Sequence, residues 1–314
     1  MILQRAGYGA LGILLVVAIL APMWANGYVL SLFYLSALFT GLAYGWNIIS
    51  GYAGYLSFGQ ITFFGIGAYA VGIGVTRFHL NWLLCALVGG AICAALAVPT
   101  GRLMLRLKGP FFALGMLGLA QSLRIATDTI PFTGGADGIY LPPGSNAVPV
   151  YYWTLAVVVA AIALTARIDR NAFGLRLRAL REDEQAAGTL GVDTTSTKVK
   201  AFVLSAIVPA LLGGGYAWYL TYVVPGSIYS TEIELQTVAM AILGGMGTLW
   251  GPLVGGIFLS QVSQSLSTRF PQTHLMLFGG LVVILLIALP QGIVPAVSDF
   301  LRRRNPSPPR PALT

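Results

Sequence analysis

The residues best suited to chemistry or recognition are concentrated in one polar stretch, residues 167–200. This stretch holds seven of the chain's eighteen Lys and Arg residues and five of its ten Asp and Glu residues. The sequence on either side of it is mostly apolar. Mixed charges in a short segment are typical of a solvated loop, or of a surface that orients a charged partner. Both interpretations place the stretch in water, outside an apolar body.

Within that stretch, residues 180–190 have the pattern of a short surface helix. Glu182 or Asp183 would lie in its first turn, where a carboxylate favours the positive end of the helix dipole. Gly191 follows as a C-terminal stop. Small and apolar residues recur on one face at helical spacing, so another chain could approach the backbone there closely. These residues are Ala179, Ala186, Ala187 and Leu190.

The rest of the chain lacks the residue sets that enzymes and proton-coupled carriers need. The sequence contains no Gly-Lys dipeptide, which excludes a phosphate-binding P-loop, so any ATP would be bound by another chain. Two His and two Cys residues supply no metal-ligand set, and no catalytic dyad can be assembled. The middles of the apolar runs carry no charged residue, which argues against a proton relay.

The composition predicts an all-α polytopic membrane protein. Apolar residues make up 56% of the 314 and charged residues 9%, whereas soluble domains carry roughly a quarter charged residues. We expect one transmembrane domain, residues 1–300, followed by a disordered Pro-rich tail, 301–314. Apolar runs near the ~20-residue spanning length predict about ten transmembrane helices. They lie at 9–25, 28–49, 60–76, 82–101, 110–125, 150–166, 199–222, 233–246, 250–267 and 274–297.

The distribution of basic residues predicts the orientation of these spans. With both termini in the cytoplasm, fifteen of the eighteen Lys and Arg residues fall on inner segments, and only Arg77, Arg124 and Arg269 lie outside. This arrangement obeys the positive-inside tendency. The acidic residues outside the polar stretch fall mostly on the outer side, and Glu232 and Glu234 are among those expected there.

The polar stretch also resembles a known docking loop. Residues 182–188 (EDEQAAG), with Gly191, resemble the cytoplasmic EAA loop of bacterial ABC importer permeases. The flanks 171–174 (NAFG), 178–182 (RALRE) and 198–205 (KVKAFVLS) are similar to M-type permeases of branched-chain amino-acid ABC transporters. This resemblance implies a coupling helix that docks on an ATPase, with its charges orienting the contact. The implied coupling residues are Arg178, Arg181, Glu182, Asp183, Glu184, Ala186, Ala187, Gly188, Leu190 and Gly191.

Glycines are dense in residues 51–74, and the cluster from 51 to 59 would weaken a helix. A broken helix at membrane depth is tolerated where it is buried or lines a cavity, and such breaks often mark transport paths. A simple connector between two spans would explain the same residues. The stretch 54–60 (GYLSFGQ) resembles the M-type signature, although Tyr52 stands where the family usually has Asn. The candidate path residues here are Gly54, Ser57, Gly59, Gln60 and Gly65.

Two further stretches extend the resemblance, which covers about residues 41–257. Residues 242–252 (ILGGMGTLWGP) correspond to a second helix interruption and add Gly244, Gly245 and Gly247 to the candidate path. The spans that flank them either cross fully or form a re-entrant pair. Residues 133–138 (TGGADG) form an outer turn, which either has no partner or contacts a binding protein. The candidate contact residues are Thr133, Gly134, Gly135 and Asp137.

The resemblance implies a complete transport assembly in the bacterial inner membrane. Its partners would be a homologous H-type permease, two ABC ATPase subunits on the cytoplasmic side and a periplasmic substrate-binding protein. ATP and Mg²⁺ would bind the ATPases, with no cofactor or metal on this chain and no nucleic acid. The cargo would be a branched-chain or other apolar amino acid.

Three alternatives remain open at the level of the sequence. The first is a urea or short-amide permease of the same family. The second is an ion-coupled secondary carrier, which the uncharged middles of the spans disfavour. The third is a membrane enzyme, which the missing catalytic groups disfavour.

The orientation makes a direct prediction. Reporter fusions after Arg181 and Arg304 should score as cytoplasmic, and a fusion near Asp137 should score as external, because the basic residues favour the cytoplasmic side. A periplasmic signal after Arg181 would overturn both the orientation and the docking role of the polar stretch.

Overall fold

The computed structural model describes residues 2–142 and 147–304, and nearly all of them are helical. The long helices correspond to the apolar runs of the sequence. The helices are α1 Ile2–Trp24, α2 Gly27–Trp46, α3 Gln60–Phe78, α4 Trp82–Met104, α5 Pro110–Thr129, α6 Ala147–Arg170, α7 Ala172–Glu182, α8 Glu184–Thr189, α9 Thr194–Leu220, α10 Pro225–Ile228, α11 Thr231–Gly245, α12 Gly251–Arg269, α13 His274–Ala288 and α14 Ile293–Arg304.

Among the described residues, six helical segments are long and apolar enough to cross a membrane, which confirms the polytopic helical class but not the count of ten. α11 has only 15 residues, about 22 Å of rise, against a hydrocarbon core of roughly 30 Å. α5 and α12 have 20 and 19 residues, but their second halves are rich in polar side chains. The six segments are Gly27–Tyr52, Gln60–Phe78, Trp82–Met104, Ala147–Arg170, Thr194–Leu220 and His274–Val297.

α9 lies at the centre of the fold and packs along both α3 and α4. The helices α3 and α9 approach closely because glycines face the partner backbone. A Cβ atom on Gly213 would overlap the carbonyl of Phe64, and one on Gly67 would overlap the carbonyl of Ala210. Small residues at such crossings are typical of helix pairs in membranes.

The ends of the helices carry two distinct polar regions. At the first, which we call the Asp137 end, a short antiparallel pair joins β1 Ile139–Tyr140 to β2 Tyr222–Val223. The opposite region, the Arg181 end, carries the two helices α7 and α8. α5 begins near the Arg181 end and reaches the Asp137 end, a distance of about 30 Å along its axis.

The prediction of one helix over residues 180–190 was wrong. α7 ends at Glu182, Asp183 is extended with φ −156° and ψ 113°, and α8 then begins. The Asp183 carboxylate accepts hydrogen bonds from the backbone N–H groups of Gln185, at 2.8 Å, and Ala186, at 3.0 Å. It is therefore the N-cap of a new helix instead of a first-turn residue. The predicted stop is confirmed, because Gly191 follows α8 with φ +83°.

The C-terminal segment also differs from the expectation. α14 continues to Arg304, so residues 301–304 belong to a helix and not to a disordered tail. Residues 305–314, the rest of the predicted tail, lie outside the described residues.

Candidate functional site

Two helix interruptions meet in the interior of the fold. The first follows α2, where residues Asn47–Tyr52 form a π-helical turn and residues 53–59 are not helical. The second separates α11 from α12 at residues 246–250. Both fall in the glycine-rich stretches that the sequence singled out, although the first begins before Gly54. π-helical turns are frequent at functional sites.

Asn47 joins the two interruptions directly. Its side-chain amide donates to the carbonyl of Thr248 at 3.0 Å, and its side-chain oxygen accepts from the N–H of Gly247 at 2.8 Å. Asn47 is fully buried, so these bonds satisfy backbone groups that water does not reach. Tyr44 adds a hydroxyl bond to the carbonyl of Leu249 at 2.7 Å. The last turns of α2 therefore hold the loop between α11 and α12 in place.

Arg181 reaches this junction from the polar stretch. Its guanidinium donates to the carbonyl of Gly51 at 2.7 Å, inside the π-helical turn. The same side chain lies against the second interruption, since a Cβ atom on Gly247 would stand 2.5 Å from its Nη1. One arginine of the candidate coupling set therefore contacts both helix breaks.

Two glycines make room for that arginine. Gly54 has φ +80° and Gly247 has φ +76°, conformations that side-chain-bearing residues rarely adopt. A Cβ atom on Gly54 would come within 2.9 Å of the Arg181 Cγ. Both glycines therefore combine a required backbone conformation with a close approach to the same side chain.

The other candidate path residues do not share one surface. Ser57 and Gln60 are buried beside the first interruption, and Gly59 lies against Met116 of α5. Gly65 packs against the ring of Tyr229, well inside α3. Gly244 and Gly245 lie at the end of α11, against Gly251 and Pro295 respectively.

A second contact ties the polar stretch to the first interruption. Lys198, only 6% exposed, donates to the Glu184 carboxylate at 2.5 Å, and the Tyr55 hydroxyl donates to the same carboxylate at 2.5 Å. Burial by itself raises the pKa of the Glu184 carboxyl. The hydrogen bonds from Lys198 and Tyr55 outweigh burial, so the pKa lies below its usual value. Glu184 thus faces the interior instead of a docking partner, which differs from the role that the resemblance implies.

Arg178 takes part in a third contact. It forms an ion pair with Asp169, and that carboxylate also accepts a hydrogen bond from the Tyr52 hydroxyl at 3.3 Å. The Arg178 guanidinium lies 5.6 Å from the centre of the Tyr52 ring. Tyr52 therefore links the π-helical turn to the base of the polar stretch.

The remaining coupling candidates divide into an exposed and a buried group. Leu190 is 84% exposed, and Gly188 is exposed, with the Thr194 methyl group 3.8 Å from the position of a Cβ atom. Ala187 is 3% exposed and packs in the core, so a partner cannot contact its side chain. The outward surface of α7, α8 and the turn that follows includes Glu182, Gln185, Ala186, Gly188, Leu190 and Gly191.

The four residues considered as binding-protein contacts lie together at the Asp137 end. They form two short 3-10 turns, and the Thr133 hydroxyl donates to the carbonyl of Thr127 at 2.7 Å. Asp137 is exposed, and its carbonyl accepts from the Tyr222 hydroxyl at 3.2 Å. The turn containing Gly134 and Gly135 is thus fixed to the strand pair.

A cavity of about 840 Å³ opens between the first interruption, α5, α8 and the start of α11. Its lining includes Gly54 and Arg181. It also includes Glu234, which we expected on the outer side but which is only 2% exposed. The reason is that Glu234 faces the start of α3, whereas Thr231 and Glu232 on the same turn of α11 are exposed. Within residues 2–142 and 147–304, no group of His, Cys, Asp or Glu side chains could hold a metal ion.

Comparison with known families now decides the class of protein. Residues 28–286 match the family described as "Branched-chain amino acid transport system / permease component". The chain belongs to this permease family. The match covers both helix interruptions and the polar stretch between them.

Several curated proteins of this family are similar to the chain. The high-affinity branched-chain amino acid transport permease LivM of Escherichia coli is 28% identical over 93% of this chain and 76% of that protein. The probable LivM of Methanocaldococcus jannaschii is 25% identical over 72% of this chain and 70% of its own length. LivH of Salmonella typhimurium is 24% identical over 84% of this chain and 96% of that protein. No solved structure matches the chain.

The Glu184–Lys198 contact predicts a stability effect. Glu184→Ala should lower the free energy of unfolding by roughly 2–3 kcal/mol, because it leaves the Lys198 ammonium buried without its partner. This is less than the roughly 3–5 kcal/mol of a fully buried pair, since a quarter of the Glu184 side chain is exposed. Glu182→Ala, on the exposed surface, should change the free energy of unfolding by less than about 0.5 kcal/mol. Thermal unfolding of the purified protein measures both.

The same contact predicts a pH dependence. Because the folded protein lowers the pKa of Glu184, its stabilisation is complete above the unfolded pKa of about 4.3 and is lost as the pH falls through the folded pKa. Equal unfolding transitions for Glu184→Ala and Glu182→Ala at neutral pH would contradict the assignment.

Proposed function

We propose that this chain is a membrane-spanning permease subunit of an ATP-driven importer of branched-chain amino acids. The family match over residues 28–286 and the curated LivM relatives support this cargo. The observation that carries the mechanism is the contact of Arg181 with both helix interruptions. Through this contact, the exposed surface of α7 and α8, which suits a regulatory partner, is joined to the interrupted backbone, which is suited to line a transport path.

The proposed partners follow from the same evidence. The likeness to LivH supports a pair of homologous permeases, with an H-type subunit beside this chain. Two ABC ATPase subunits, which bind ATP and Mg²⁺, would dock at the Arg181 end. Exposed Gly188 and Leu190 offer a contact with little bulk and one apolar anchor. A periplasmic substrate-binding protein would contact the turn that contains Asp137.

The distribution of charge supports an orientation with both termini and the Arg181 end in the cytoplasm. Arg102 lies in the last turn of α4, Arg106 and Lys108 lie between α4 and α5, and Lys108 lines the cavity beside α8. Arg77 lies over the ring of Phe132 at the other end, and Arg124 lies near Gly226. The basic residues therefore separate along the helices as the positive-inside tendency requires.

The proposed mechanism couples docking to movement of the two interruptions. A displacement of α7 would change the hydrogen bond from Arg181 to Gly51 and the packing of Arg181 on Gly247. Because Asn47 joins the two interruptions, both would move together. Backbone with interrupted helical hydrogen bonds rearranges at lower cost than an intact helix, and ATP binding to the ATPases would drive the change.

The function is tested by uptake. The chain should be expressed with its permease and ATPase partners, and uptake of labelled L-leucine should require ATP and the binding protein. Absence of leucine uptake by a complete, assembled importer would contradict the proposed cargo.

The coupling role of Arg181 is tested by substitution. Arg181→Met keeps the aliphatic bulk but removes the hydrogen bond to Gly51, so uptake should fall at least about tenfold while ATP hydrolysis continues. A hydrogen bond from a charged group is worth about 1.5–3 kcal/mol, which corresponds to that factor or more. Arg176→Met, an exposed arginine on the same helix, is the matched control. Equal uptake by the two variants would contradict the coupling role.

A further inference from the structure

Glu234 is an acidic side chain buried at the wall of the cavity. Its carboxylate accepts hydrogen bonds from the backbone N–H groups of Ile61, at 2.7 Å, and Gln60, at 3.3 Å, at the start of α3. Among the described residues, no Lys, Arg or His side chain forms an ion pair with it. A buried carboxylate without a cationic partner is costly, so its position points to a ligand that supplies the missing charge.

Three other charged groups of the cavity are engaged within the protein, whereas Lys108 is exposed at its rim. Arg181 donates to Gly51, Glu184 pairs with Lys198, and Asp183 caps α8. An ionised carboxylate offers about four acceptor positions, and only two are filled at Glu234. The Glu234 carboxylate therefore keeps unused capacity to accept hydrogen bonds.

Gln60, whose backbone N–H donates to Glu234, lies behind the cavity wall with its side chain directed to Ser205. Its side-chain oxygen is buried and has no hydrogen-bond partner among the described residues. The amide orientation is fixed by Ser205, whose hydroxyl donates to the carbonyl of Phe202 at 2.8 Å and accepts from the Gln60 amide at 3.4 Å. A primary ammonium group has three N–H donors, which the free acceptor positions of Glu234 can take.

Lys108, Gln185 and Thr231 also line the cavity, and its remaining walls are mostly apolar. They come from the first interruption, the first half of α5 and the first turn of α11. Their side chains suit an aliphatic group, and the volume lies in the range of small-molecule sites, about 300–1,000 Å³. The apolar lining residues used here are Leu56, Phe58, Ala113, Leu117 and Leu235.

We infer that Glu234 binds the α-ammonium group of a transported amino acid, with the aliphatic side chain of the substrate in the apolar part of the cavity. This inference rests on the proposed function and names a binding residue for its cargo. The charge of Glu234 selects a molecule with an amino group, and the walls select an apolar side chain.

The test uses three ligands of nearly equal size on the purified, complete importer in nanodiscs, without its binding protein. They are L-leucine, 3-methylbutylamine, which lacks the carboxylate, and 4-methylpentanoate, which lacks the amino group. Saturation-transfer NMR titrations measure the three affinities. The wild-type importer should bind L-leucine and the amine at least about tenfold more tightly than the acid.

The substitution Glu234→Gln keeps the size of the side chain and removes its charge. It should reduce the preference for the amine over the acid by roughly tenfold to a hundredfold. Glu232→Gln, two residues earlier on the same helix and 42% exposed, should leave the preference unchanged. A purely structural role for Glu234 would alter yield or stability but not the ranking of the ligands.

The outcomes separate this inference from the proposed function. If wild-type importer binds the acid as tightly as the amine, or Glu234→Gln keeps the wild-type ranking, the assignment of Glu234 is wrong. If Glu234→Gln does not assemble, the order of the three ligand affinities in the wild-type importer decides whether the binding role of Glu234 is kept. If the wild-type importer transports leucine but fails these tests, the proposed function stands and only the binding role of Glu234 is withdrawn.

Discussion

The structure depends on satisfying the backbone groups that two interrupted helices leave without helical partners. In an apolar environment such groups must be satisfied inside the protein, since water cannot reach them. The hydrogen bond from Arg181 to the carbonyl of Gly51 serves this purpose at the first interruption. Asn47 serves it at the second by binding both the N–H of Gly247 and the carbonyl of Thr248. The same bonds that stabilise the broken helices therefore connect them.

The same requirement explains why the polar stretch contacts the membrane domain. Three separate contacts fasten it to the first interruption: Arg181 to Gly51, Glu184 to Tyr55, and the Arg178–Asp169 pair to Tyr52. All three bring a charged group of the stretch to residues 51–55. In the proposed mechanism, these contacts transmit a movement of α7 and α8 to the backbone between α2 and α3. They are the proposed route from an ATPase to the transport path.

The sequence predicted local features well, because they depend on residue type and spacing. The apolar runs located the long helices, and the glycine clusters located both interruptions. Gly191 marked the end of α8. Asp183 was placed inside a helix, although an Asp followed by Glu and Gln is also an N-cap signal. Local patterns that allow two interpretations were thus the first source of error.

Long-range contacts were the second source of error. Asn47 and Gly247 are 200 residues apart, and nothing in their neighbourhoods indicates that they bind each other. Lys198 and Glu234 carry charges, which predicts exposed side chains. Both are instead buried by the packing of other helices. Lys198 finds its partner in Glu184, whereas Glu234 finds only backbone N–H groups. Periodicity records which face of a helix is apolar, but it does not record which segment covers that face.

The most direct test of the account is hydrogen–deuterium exchange of the complete importer, measured with and without ATP bound. The central claim is that Arg181 and Asn47 make the two interruptions respond as one unit to the polar stretch. Exchange at residues 47–59 and at residues 246–250 should therefore change together on ATP binding, and Arg181→Met should remove the change from both. A change confined to one of the two segments, or a coupled change that persists in Arg181→Met, would contradict the claim.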